Sequence, residues 1–66
     1  MTRLIETIKN TLVMEKLVLE QELEELINTK EGDVKQRVGK GIGILESISS
    51  LTQSQETLES YINNNK

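Results

Sequence analysis

Apolar residues recur along the first half of the chain at Leu4 or Ile5, Ile8, Leu12, Leu19, Leu23 and Leu26 or Ile27, steps that fall on one face of an α-helix. Thr2 offers this helix an N-cap. Lys30 in its last turn and Gly32 just beyond mark its end, because a left-handed residue there lets otherwise unpaired carbonyls find donors. Asp33 then supplies a second N-cap, with Gln36 three positions on, where a capping box uses it. A second apolar row runs through Val34, Val38, Gly41 or Ile42, Leu45, Ile48, Leu51, Leu58 and Ile62. The pattern predicts a helix over about 3–30, a turn at 31–33, a helix over about 34–62 and a frayed polar tail at 63–66. The second row weakens over Ser49, Ser50, Thr52, Gln53, Ser54 and Gln55, whose side chains compete for backbone hydrogen bonds. A break near 49–54, with Ser54 capping a short third helix, is therefore the alternative to one continuous helix. So short a connection places the two helices antiparallel, as a helical hairpin.

LVMEKLVL, residues 12–19, carries more apolar surface than one partner helix can cover. Beyond Leu12, Leu19 and Leu23 on the intrachain face, Val13, Met14, Leu17 and Val18 occupy much of the remaining circumference, and a helix apolar nearly all round is buried on several sides. The expectation is an all-α antiparallel helical hairpin that assembles into a homo-oligomeric helical bundle. Glu15 and Glu22 lie near where an ideal heptad would be apolar, so the first helix does not read as a plain coiled-coil strand.

Length supports the same conclusion. Sixty-six residues make one domain, 1–66, and a chain near this size buries only about 60% of the surface exposed when unfolded. Disulfides, metals or oligomerisation usually supplement so small a core, and with neither Cys nor His in the chain only oligomerisation remains. The absence of Pro, Phe and Trp, with Leu, Ile, Glu and Lys abundant, suits helix rather than sheet. A net charge of −3 argues against duplex nucleic acid as a partner, since phosphates are neutralised by a basic face. No apolar run approaches a membrane span and MTRLIETIKN lacks the apolar core of a signal peptide, so the expected location is the cytoplasm, with no membrane partner.

Catalysis has little to work with. Ser47, Ser49 and Ser50 have no recognisable base to activate them, and Glu20, Glu22, Glu24 and Glu25 read as a solvated helix face rather than an acid/base pair or metal cluster. Neither enzymatic activity nor a catalytic residue, metal or cofactor is expected. KQRVGKGIGILES is more informative, because Gly39, Gly41 and Gly43 each cost about 1 kcal/mol of helix propensity relative to alanine. Gly39 and Gly43 share a face and can admit another helix backbone closely, which places them with Val13, Met14, Leu17 and Val18 in an oligomer interface. Lys35, Arg37 and Lys40 are cations with no acid among them. Arg37, Lys40, Gly41 and Ile44 fall on one side of a helix, where the bare Gly41 lets an anion reach the backbone while the cations neutralise it. Repeated by symmetry, such sites could meet as a pocket for a small polyanion. No Walker loop is present: Gly39-Lys40-Gly41-Ile42-Gly43 comes after no strand and has no Ser or Thr after its lysine.

With Leu4-Ile5-Glu6-Thr7-Ile8-Lys9, Arg37, Gly39-Lys40 and Gly41-Ile42-Gly43-Ile44-Leu45, the chain resembles phage sponge proteins that sequester the cyclic oligonucleotide signals of bacterial CBASS immunity. The resemblance covers about a third of the chain. It implies a small, helical, oligomeric, non-enzymatic protein of the host cytoplasm that binds and sequesters a small phosphorylated, cyclic-nucleotide-type signal, with Arg37, Lys40, Gly41 and Ile44 at the ligand; the run of cations adds Lys35 to these candidates. Members of that family are longer and carry aromatic residues around the site, whereas this chain has only Tyr61. Stacking, worth about 1 to 3 kcal/mol per base, would have to be replaced by aliphatic contacts from Ile42, Ile44 or Leu45. The alternative function is a helical protein-interaction module, a chaperone, adaptor or inhibitor that presents an apolar helix face to a partner protein.

Overall fold

A computed structural model of the chain describes residues 2–29 and 32–64. Two helices, α1 (Thr2–Asn28) and α2 (Val34–Asn64), pack against each other as a hairpin, and no strand is present among the described residues. Thr2, read from sequence as a cap, is the first helical residue of α1. Lys30, Glu31, Asn65 and Lys66 lie outside the described residues, so the reading of Lys30, part of the 31–33 turn and the last two tail residues lie there too.

The reversal uses the residues that local chemistry singles out. The Thr29 N–H still donates to the Glu25 carbonyl at 2.9 Å, continuing the α1 ladder. Gly32 has φ 95°, a left-handed conformation that a Cβ would strain. Asp33 then caps α2: its Oδ1 accepts from the Lys35 N–H at 3.2 Å, and its carbonyl accepts from the Arg37 N–H at 3.0 Å. α2 continues unbroken through residues 49–54. Thr52, on that polar stretch, turns its hydroxyl back onto the Ile48 carbonyl at 2.9 Å, and Thr7 and Thr11 do the same to Arg3 and Thr7 in α1. A hydroxyl bonded to the preceding turn leaves the helical ladder in place.

The inner face of α1 is Ile5, Lys9, Leu12, Lys16, Leu19, Leu23 and Leu26; these residues are half-buried and are spaced in alternating steps of four and three. On α2 the same alternation runs through Arg37, Gly41, Ile44, Ile48, Leu51, Gln55, Leu58 and Ile62. This is the a/d spacing of a coiled coil, in an antiparallel pair. Three expectations are corrected by this register. Glu15 and Glu22 lie off the a/d row, so they do not interrupt it, and Ile8, expected on the seam, is exposed while Lys9 and Lys16 take inner positions. Long stems can cover apolar surface while their heads reach water, which makes lysine compatible with a narrow seam. Lys9 shows this, its Nζ sitting 3.6 Å from Glu59 Oε1 across the open end of the hairpin. The third correction concerns the start of α2, where Val34, Val38, Ile42 and Leu45 are exposed, at 69%, 55%, 53% and 53%, and the adjacent row of Arg37, Gly41 and Ile44 faces α1.

A two-helix seam is narrow. Ile44, at 6% exposure, is the one buried apolar residue among those described. The rod measures 50 × 17 × 12 Å, and its radius of gyration of 15.4 Å exceeds the about 11 Å expected of a globular chain of this length.

Candidate functional site

The end of the hairpin nearest the bend brings Arg37 against the last turn of α1. Its Nη2 donates to the Leu26 carbonyl at 2.9 Å. The last four carbonyls of a helix lack intrahelical donors and form the negative end of its dipole, so a guanidinium from α2 completes the C-terminus of α1. Arg37 Nε is buried and has no hydrogen-bond partner among the described residues. Gly41, one turn further along α2, faces the same leucine: a Cβ there would meet Leu26 Cδ2 at 3.5 Å, an ordinary van der Waals contact. Gly39 and Gly43 point the other way, and a Cβ on either would meet nothing within 4 Å.

The residues proposed from sequence to hold an anion are therefore divided in the single chain. Arg37 and Gly41 line an open groove of about 310 Å³ with Leu23, Leu26, Ile27, Val34 and Val38. Lys40 lines a different groove, of about 460 Å³, with Glu22, Glu25, Leu26 and Thr29, where two carboxylates oppose an anionic ligand. Ile44 is in the core and Lys35 is on the surface. Helical spacing correctly puts Arg37, Gly41 and Ile44 on one face, but that face meets α1. The proposed interface residues Val13, Met14, Leu17, Val18, Gly39 and Gly43 are all exposed in the single chain.

The coiled-coil register sorts the rest of the surface into two long sides. Residues one position after the inner ones, Val13, Glu20 and Ile27 on α1 and Val38, Leu45, Thr52 and Glu59 on α2, edge one side, as shared grooves confirm: Ile27 with Val38, and Val13 with Glu59. Residues that precede inner positions edge the other, where Glu15 shares a groove with Ser47, and Glu22 with Lys40. The first side is the more aliphatic, although Glu20, Thr52 and Glu59 interrupt it. It carries every exposed large aliphatic of α2, namely Val34, Val38, Ile42 and Leu45, together with Val13, Leu17 and Ile27 of α1. The second carries Glu15, Glu22, Lys40, Ser47 and Ser54, together with Ile8 and Tyr61, and on it Met14 and Val18 line a groove of about 590 Å³ with Glu15, Leu19, Ser47 and Leu51. Spacing identifies these aliphatics but assigns the α2 set to the intrachain seam; the signal that separates the two rows is the Arg37–Leu26 contact, which spacing alone does not contain.

No group of three or more His, Cys, Asp or Glu side chains among the described residues could hold a metal ion, and no helix among them is long and apolar enough to cross a membrane. Compared with known proteins, the chain matches no family model, no curated protein and no solved structure.

Proposed function

We propose that this chain is a non-enzymatic helical interaction module that works through the apolar long side of its hairpin. The observation that supports this reading is the segregation of exposed aliphatics: Val34, Val38, Ile42 and Leu45 of α2 lie on the side that also carries Val13, Leu17 and Ile27 of α1. Scattered exposed leucines are ordinary on any protein, whereas seven exposed aliphatics gathered on one side, with all four of α2 among them, mark an association surface. Sequestration of a small phosphorylated ligand is the competing function. It requires Arg37 and Lys40 to converge, and since they open onto different grooves, such a site would have to be assembled between copies.

The test places a photoreactive side chain either at Ile42, on the apolar side, or at Gln53, away from it, in cells producing the chain. Protein adducts from position 42 and few from 53 are expected. Equal yields from both positions, or none from either, would sink the module reading. A parallel melting screen against cyclic di- and trinucleotides decides the competing one, because a ligand at 100 times its dissociation constant adds about 2.7 kcal/mol of stability.

A further inference from the structure

Resting on that reading of the apolar side, we infer that its occupant is a second copy of this chain, docked antiparallel about a two-fold axis near the level of Leu45 to form a four-helix bundle. Surface area favours a second copy. The chain exposes 5470 Å², whereas a compact folded monomer of 7.5 kDa exposes about 4,250 Å². The excess, about 1,200 Å², is what each partner of an obligate dimer removes from water, such interfaces burying about 2,000 Å² or more in total. The register of the hairpin is compatible with a two-fold axis. Leu26 beside Gly41 and Lys9 beside Glu59 set the antiparallel alignment, which puts Glu20 level with Ser47 and Ile48, two to three residues past Leu45. Val38 and Ile42 then precede Leu45 by seven and three residues toward the bend, and Val13 and Leu17 precede Glu20 by seven and three toward the open end. A two-fold axis about one residue past Leu45 therefore stacks α1 on α1 and α2 on α2, and brings Val38 and Ile42 of one copy level with Val13 and Leu17 of the other, diagonally across the four helices and in both directions at once. Charges flanking the apolar row are complementary about the same axis. Lys35 lies ten residues before Leu45 and Glu56 eleven after it, both one step outside the apolar row, so the same axis sets each lysine near the other copy's glutamate.

Sedimentation equilibrium of the full chain at micromolar concentration tests the pairing. The expected mass is twice that of the chain. Val38→Glu and Leu45→Glu are expected to raise the dissociation constant by more than about tenfold, and Ser47→Glu and Ser54→Glu to leave it within about twofold. The chain has no cysteine, so Ile42→Cys and Gln53→Cys report on the same surface even if the glutamate variants unfold. Slow, concentration-dependent modification of Cys at 42, with fast modification at 53, is expected; equal rates overturn the pairing. A helical, cooperatively melting monomer also overturns it, while leaving the apolar side open to a different protein and the cross-linking test of the module reading unaffected. A higher oligomer, or a dimer broken by Ser47→Glu and Ser54→Glu but not by Val38→Glu and Leu45→Glu, overturns it as well.

Discussion

Gly41→Ala is expected to stabilise the hairpin. Gly41 lies inside α2 on its inner face, so alanine gains about 1 kcal/mol of helix propensity. The added methyl would rest 3.5 Å from Leu26 Cδ2, a normal contact distance, and burying one such group contributes about 0.8 kcal/mol when fully enclosed. At this half-buried position the sum falls between about 1 and 1.8 kcal/mol. For a domain of this length, 1 kcal/mol moves the melting temperature by about 4 to 8 °C. Thermal melts monitored by circular dichroism, with urea midpoints as a second measure, read the change. Gly41→Leu should reverse the sign, because a longer side chain must displace Leu26 from the seam. The companion substitutions Gly39→Ala and Gly43→Ala face open space and should each stabilise by about 1 kcal/mol. Destabilisation by Gly41→Ala would refute the placement of Gly41 against Leu26. Destabilisation by Gly39→Ala or Gly43→Ala would mean that another backbone approaches the outer face of α2, the close-crossing role their spacing suggests.

Arg37→Met keeps the apolar stem but removes the donor to the Leu26 carbonyl, and should cost about 1.5 to 3 kcal/mol in urea unfolding, with faster amide exchange at the end of α1; unchanged stability would show that the cap contributes nothing. A double-mutant cycle on Lys9→Ala and Glu59→Ala should give a coupling below about 1 kcal/mol, since both charged ends are open to solvent, the side chains being 42% and 55% exposed; a larger value would mean the pair is covered in solution. Glu20→Gln should tighten self-association in sedimentation, because Glu20 lies within about one turn of the proposed two-fold axis, on the helix that the axis stacks against its own copy. Weaker association would place Glu20 in a favourable cross-copy pair and move the axis.

Local chemistry determined much of this molecule from its sequence. Apolar steps of three and four dictate two helices, Gly32 permits the left-handed residue at the bend, and Asp33 caps α2; each effect acts within a few residues and needs no knowledge of the partner element. The inner row of α1 through Leu12, Leu19, Leu23 and Leu26 and of α2 through Ile48, Leu51, Leu58 and Ile62 was legible for the same reason. Only the tertiary structure decided which of two adjacent rows at the start of α2 turns inward. Val34, Val38, Ile42 and Leu45 are the more apolar row, yet Arg37, Gly41 and Ile44 face α1. Hydrophobicity counts side chains one helix at a time and so favours the first row. The inner position of Arg37 depends on a carbonyl eleven residues away at the end of α1, and that of Gly41 on the bulk of Leu26 opposite it, which exist as neighbours only once the hairpin has closed. The same closure separates Arg37 from Lys40, because helical spacing places residues on a face without saying what that face will meet.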